Sequence, residues 1–310
     1  MRSVCLWWND VQQRDGMNKK IKSENGLPGR LGVALGGGGV RGFAHALVLE
    51  LLDELGLRPA VIAGTSMGAV VGALYASGVS GREIKERILR HTLSHSGVWK
   101  EVMEKKTDLL NLFNAISLEL GRGGLLSTDR FLKYVFQEMQ DARFEDMQIP
   151  LLVIAADYWR GEEVVLRSGT LLPAVKASMA VPGVFAPVKL DGRILVDGGI
   201  VNQVPYDHLK ECDFTLAVDV TTERLPDKDH PVPNLVESIL GSFEIMQEEA
   251  IKRKLKESRP TFYVRPHIQD VSVFDFDKVA EVFKQSQPAV DSLRQELTHA
   301  MKLNRKERPA

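Results

Sequence analysis

Two short apolar runs, each passing directly into a glycine-bounded turn and then a helix-forming stretch, constrain this chain more than any other feature. Leu31-Gly-Val-Ala-Leu35 leads into Gly36-Gly37-Gly38-Gly39, and the run at 60–63 leads into Gly64-Thr65-Ser66-Met67-Gly68. Continuous apolar runs this short read as strands buried on both faces, which requires a sheet with helices on both sides. Arg41 to Leu55 reads as a helix: Phe43, Leu47, Leu51 and Leu55 fall in i, i+4 steps, with Glu50, Asp53 and Glu54 off that stripe. Further strands are expected at 151–155, 162–166, 194–196 and 214–218, and helices at 67–77, 81–92, 128–140, 233–257 and 277–303. This alternation predicts an α/β chain, three layers with a mostly parallel central sheet. Residues 1–30 are expected to be a flexible N-terminal segment and 31–310 a single domain; Met17 offers a second start, which would make residues 1–16 dispensable.

Composition removes several classes of function. The chain has 310 residues, 44% hydrophobic and 26% charged, which suits an ordinary globular protein. Forty basic and 41 acidic residues give a net charge of −1, so there is no basic excess to hold nucleic acid. Two cysteines, Cys5 and Cys212, are too few for a disulfide framework or a four-cysteine metal site, and suit a reducing compartment. The first 30 residues lack the apolar core and cleavage site of a signal peptide. The 23 uncharged residues between Arg58 and Arg82 could span a bilayer by length, but Gly64, Gly68, Gly72 and Gly78 dilute them and a strand–turn–helix fits better. A cytoplasmic protein is the expectation.

Three motifs carry chemistry. Gly64-Thr-Ser66-Met-Gly68, at a strand-to-helix junction, has the form of a nucleophile elbow, in which a strained serine needs small residues two before and two after it. Gly36 to Gly42 can turn successive backbone N–H groups inward at the start of a helix, a nest for a phosphate or an oxyanion. A phosphate-loop nucleotide site would need Gly-Lys-Ser/Thr where Arg41-Gly42-Phe43 stands. Gly37, Gly39 and Gly42 match a dinucleotide fingerprint, but no acid follows at the end of the second strand. Asp197-Gly198-Gly199 closes a further strand. A bystander serine in a glycine-rich turn and an ordinary hairpin turn explain the motifs singly; their joint occurrence in an α/β chain shifts the balance.

Taken together these motifs resemble the patatin-like phospholipase family, whose marks are G-G-G-x-R/K-G, G-x-S-x-G and D-G-G/A. Here they read Gly37-Gly38-Gly39-Val40-Arg41-Gly42, Gly64-Thr65-Ser66-Met67-Gly68 and Asp197-Gly198-Gly199, and Ala177 to Phe185 also looks like the segment preceding the family's aspartate. The likeness runs from about Leu31 to His267, with Gly36 departing from the polar residue often found there. The resemblance implies a Ser–Asp dyad, with Ser66 as nucleophile and Asp197 as general base, and backbone N–H groups of Gly37, Gly38 and Gly39 as the oxyanion hole. It implies hydrolysis of a lipid or other carboxylic ester through an acyl-serine, with no cofactor.

Other readings stay open at this level. A Ser–Asp–His triad could recruit His230 or His267 after Asp197 or Asp219. His91 and His95 at i, i+4 lack the intervening Glu and third ligand of a zinc site. His45 is expected to be packed or capping. The apolar stretch 98–120 is a packed insertion or a lid with glycine hinges. That stretch and the basic clusters at Lys252 and Arg305 are the expected points of transient contact with a membrane surface. A catalytically silent module that binds lipid or a partner protein is the non-enzymatic alternative.

Overall fold

The computed structural model describes residues 27–94, 141–222 and 232–306, apart from Pro28 and Asn234. The expected helix at 128–140, the stretch 98–120, His95, His230 and nearly all of the N-terminal segment lie outside the described residues. Eight strands are described: β1 Leu31–Leu35, β2 Val61–Thr65, β3 Leu151–Asp157, β4 Glu162–Leu166, β5 Val188–Leu190, β6 Arg193–Asp197, β7 Phe214–Val218 and β8 Phe262–Val264. Six α-helices accompany them: α1 His45–Glu54, α2 Met67–Ala76, α3 Gly81–Ser94, α4 Leu171–Ser178, α5 Leu235–Glu257 and α6 Val279–Lys306.

All eight strands join one sheet in the order β5-β6-β3-β2-β1-β7-β8, with β4 also on β3. The run β3-β2-β1-β7-β8 is parallel, whereas β4 and β6 are antiparallel to β3 and β5 is antiparallel to β6. Alternation along the central strands sorts side chains by size. Val33, Leu35, Ile62, Leu151, Val153, Leu216 and Val218 share a cluster with residues of α1, α2 and α6. Ala34, Val61, Ala63, Leu152 and Ala217 share another with Tyr206, Leu209 and Ile251 of α5. One face therefore carries a thick helical layer and the other a thinner one, where alanines let the 206–209 turn and α5 approach closely. The three-layer α/β/α arrangement matches the sequence expectation.

Some boundaries differ from it. The helix expected over 41–55 begins as a 3-10 turn, Gly39–Ala44, before α1. Gly39 has φ +56°, and the Val40 N–H bonds to Val273 O, so this segment is anchored to tertiary structure from its first residues. The second strand runs to Thr65, two residues beyond the expected 60–63. α4 and the three-residue strands β5 and β8 carried too little periodicity to be read.

The register of β3 determines what meets at the sheet's carboxyl end. Val153 and Ile154 pair with both β2 and β4, so these two lie on opposite edges of β3; Ala155 to Asp157 pair with both β4 and β6. It follows that β2 and β6 occupy the same edge of β3, end to end. Thr65 pairs with Ile154 and Asp197 with Ala155, at successive positions. Since β6 runs opposite to β2, their carboxyl ends meet head to head.

Candidate active site

Ser66 stands where β2 gives way to α2, with φ 53° and ψ −121°, one of three non-glycine residues with positive φ among those described. Such a conformation costs about 1–3 kcal/mol and persists only where the surroundings over-determine it. Here they do. The Ser66 N–H donates to Ser178 Oγ at 2.8 Å, and the preceding hydroxyl, Thr65 Oγ1, donates to Asn202 O at 2.8 Å. A Cβ on Gly64 would lie 2.6 Å from Gly68 O, and one on Gly68 would lie 2.1 Å from Leu35 O. Both flanking glycines are thus required by close backbone approach, as expected of an elbow.

Asp197 ends β6 and is 5% exposed. Its Oδ1 accepts the Gly199 N–H at 2.7 Å, while Oδ2 is buried with no formed hydrogen bond. Burial raises the carboxyl pKa to about 6, against a smaller downward pull from the Ser66 hydroxyl and the Gly199 N–H. A carboxylate this hard to ionise, facing a serine hydroxyl with one oxygen unpartnered, is equipped to take a proton. Gly198 and Gly199 let the chain turn here against Ile154 O and the Gln203 side chain.

The glycine loop leaves β1 at the same end of the sheet, beside β2. A Cβ on Gly37 would sit 3.2 Å from Ser66 Cβ, so loop and elbow are in contact. Successive carbonyls are pinned: Gly36 O to His45 Nε2 at 2.7 Å, Gly37 O to Gln203 Nε2 at 2.9 Å, and Gly38 O to the Arg41 N–H at 3.2 Å and Nε at 3.3 Å. Gly37 N–H donates to Gln203 O at 3.1 Å. That removes one of the three donors expected from the sequence. The N–H groups of Gly38 and Gly39 make no hydrogen bond among the described residues. In a trans peptide the N–H points opposite to the preceding C=O, so Gln203 and Arg41 fix the direction of both free donors. Arg41 itself is buried and bonds through Nη2 to Glu244 Oε1 of α5 at 2.7 Å. Gly42 lets the 3-10 turn pack on Met67 at the start of α2.

Among the described residues no histidine hydrogen-bonds to Ser66 or Asp197. His45 is fully buried; burial lowers its pKa to about 4, with the Gly36 bond opposing, so the ring is neutral and donates through Nε2. His267 is exposed. Asp219 is occupied by the Thr221 N–H and hydroxyl and by Tyr263 OH. His208 contacts Glu163 at 2.5 Å, in a group with Asp207, but the Asn202 amide and Lys254 ammonium already bond to those carboxylates. This cluster is a charge network that holds Asn202, whose carbonyl in turn receives Thr65. The sequence reading missed Ser178, Gln203, Asn202 and Glu244. Ser178 and Gln203 hold backbone of the elbow and the glycine loop, while Asn202 and Glu244 hold the side chains of Thr65 and Arg41, in each case from a distant segment; only Ser178 lay in a stretch the sequence had singled out.

The fold and these contacts define an α/β protein whose strained serine, buried aspartate and free backbone donors converge at the carboxyl end of a parallel sheet. The family model for patatin-like phospholipases matches residues 33–210, and the chain belongs to that family. Its curated relatives include an uncharacterised NTE family protein of Mycobacterium tuberculosis, 35% identical over 203 residues covering 64% of this chain and 52% of that one. The lysophospholipase NTE1 of Saccharomyces cerevisiae is 27% identical over 277 residues, 82% of this chain and 16% of its own. The chain thus spans about half the length of the mycobacterial relative and a far smaller share of the yeast one. The crystal structure of VipD from Legionella pneumophila aligns over 84% of this chain and 66% of its own, with TM-score 0.46 and 12% identity.

Proposed function

We propose that this chain is a serine lipid acyl hydrolase in which Ser66 attacks the carbonyl of a carboxylic ester and Asp197 is the general base. Asp197 takes the Ser66 hydroxyl proton as the Oγ–carbon bond forms, and the oxyanion is received by the N–H groups of Gly38 and Gly39. Collapse of the tetrahedral intermediate expels the alcohol, which takes the proton back from Asp197. Water, activated by the same carboxylate, then releases the fatty acid from the acyl-serine. The observation that carries this reading is the strained Ser66 beside a buried carboxylate whose second oxygen is unpartnered. Family membership and a lysophospholipase relative support a phospholipid or lysophospholipid as the ester. The test is a fluorophosphonate probe and a lipid ester panel with wild type and Ser66→Ala. Labelling and turnover are expected in the first and neither in the second. A folded wild type that neither labels nor turns over would make this a binding module instead.

A further inference from the structure

The register that brings Ser66 and Asp197 together also carries two hairpin tips past them. β3 continues three residues beyond the level of Thr65, to Asp157, and turns at Tyr158-Trp159-Arg160-Gly161. At about 3.3 Å per residue this tip stands about 10–15 Å outside the plane of the serine, on the same end of the sheet. Arg193, which opens β6, lies two positions beyond the pairing of Leu195 with Asp157, so the β5–β6 turn projects alongside. The first tip is rigid. Asp157 Oδ1 accepts the N–H of Trp159 at 3.1 Å and of Arg160 at 3.2 Å, Gly161 N–H bonds to Asp157 O, and Tyr158 N–H bonds to Ile194 O.

This fixed turn holds two aromatic rings in water. Trp159 is 78% exposed and packs edge-on against Tyr158 at 5.0 Å. They are not isolated. Eight large apolar side chains are exposed among the described residues, and six of them, Tyr158, Trp159, Ile200, Ile239, Ile245 and Met246, belong to segments at this end. Ile200 follows Asp197 by three residues. Ile245 and Met246 adjoin Glu244, the partner of Arg41, and Ile239 lies on the stretch of α5 leading to it. A rigid aromatic tip beside the site, with further exposed apolar side chains on the neighbouring segments, marks an interaction surface, and tryptophan and tyrosine favour the boundary between water and hydrocarbon.

We propose that this end of the molecule docks on a lipid bilayer, with the Tyr158–Trp159 tip as the inserting element and Ser66 facing the membrane. The proposal rests on the lipid ester reading above, which requires the site to meet a substrate resident in a bilayer. Arg160 and Arg193 both face Asp157, and Asp191 stands beside Arg193 in the β5–β6 turn, so the two tips together carry no excess positive charge. In the basic stretch at Lys252, both lysines are paired, Lys252 with Glu248 and Glu249, and Lys254 with Asp207. Among the described residues of this end, insertion is therefore expected to outweigh charge attraction, so that neutral vesicles suffice.

The experiment is co-sedimentation of the full chain with phosphatidylcholine vesicles at low and high salt, for wild type, Ser66→Ala, and the double variant Tyr158→Ala/Trp159→Ala. The double variant is expected to lose at least about tenfold in vesicle partitioning, as burial of two aromatic rings implies. Wild-type binding should barely respond to salt, and Ser66→Ala should bind as wild type does. Hydrolysis of a dispersed water-soluble ester, which needs no surface, should stay within about twofold in the double variant. Unchanged partitioning in the double variant would overturn the docking surface while leaving the esterase reading intact. So would sedimentation showing that the same change converts a wild-type dimer to a monomer without affecting vesicles. Vesicle binding that depends on Trp159 in a protein that hydrolyses nothing would sink the reaction and leave the docking surface standing.

Discussion

Replacing Asp197 by asparagine should remove a pH-dependent cost to the fold while disabling the chemistry, and the size of that cost follows from the structure. The carboxyl is buried and its pKa is raised from 3.8 to about 6. A tenfold change in proton affinity is worth about 1.4 kcal/mol, so holding this group ionised costs the native state about 3 kcal/mol at neutral pH. The sign is set by proton binding. Between pH 4 and 6 the folded chain binds the proton and the unfolded chain does not, so this group's contribution to stability falls as pH rises through that window. Asparagine keeps an oxygen for the Gly199 N–H and carries no charge. Its amide brings a buried donor in place of Oδ2, which costs about 1–3 kcal/mol if unpaired but is independent of pH. The diagnostic is therefore the pH dependence of the difference between the two proteins. Urea denaturation of wild type and Asp197→Asn from pH 4 to 8 should show the variant gaining about 2.5 kcal/mol relative to wild type across the range, nearly all of it below pH 7. The ester rate of wild type should rise with pH around 6, and the variant should lose about 10²–10⁴ in kcat. A stability difference flat to within about 0.5 kcal/mol would refute the buried-charge argument. Retention of half the wild-type rate would refute the base.

Three further changes probe the surroundings of the site. Gly39→Ala places a Cβ at positive φ and 2.2 Å from Val273 O, so kcat on a soluble ester should fall about 10²-fold or more with little change in KM, as loss of an oxyanion donor does; an unchanged kcat would exclude Gly39 as a donor. Glu244→Gln leaves the buried Arg41 guanidinium without its charged partner, and should cost about 1–3 kcal/mol in urea denaturation together with a fall of about tenfold in kcat; a stability loss with kcat intact would make the pair purely structural. His208 is pulled down by burial but carried upward on balance by Glu163 and Asp207, so its stabilisation is complete below the unfolded pKa and is lost as pH rises through the folded one. His208→Gln should therefore destabilise the protein more at pH 6 than at pH 9, and equal losses at both would show that the His208–Glu163 contact carries no net charge stabilisation.

The parts of the fold legible in the sequence were those with dense local patterning. Leu31–Leu35 is an apolar run and Phe214–Val218 is one broken only by Thr215, and α5 and α6 are long enough for their periods to show. β5 and β8, at three residues each, fall below the length at which a period of two can be distinguished from chance. The early 3-10 turn was invisible for another reason. Phe43 and Leu47 do lie on one face, but the Val40–Val273 bond and the Arg41–Gly38 contact that tighten Gly39–Ala44 come from tertiary structure and from a side chain folding back.

The site divides in the same way. Gly64 and Gly68 were readable because close backbone approach demands glycine at those spacings, and Ser66 and Asp197 because the motifs around them mark their place. What the sequence could not convey is that β2 and β6 share one edge of β3, and in the proposed mechanism this is what lets an aspartate serve the serine directly. Thr65 and Asp197 occupy successive positions along that edge, so the carboxylate stands beside the serine. A directly apposed aspartate at its ordinary pKa would be a feeble base for a hydroxyl. Burial at the junction of two strand ends corrects this: it lifts the carboxyl to about 6, close to the intrinsic value of a histidine side chain. In the proposed mechanism desolvation does for Asp197 what imidazole does by its own chemistry, and the apolar packing on both faces of the sheet offsets the cost of the buried charge.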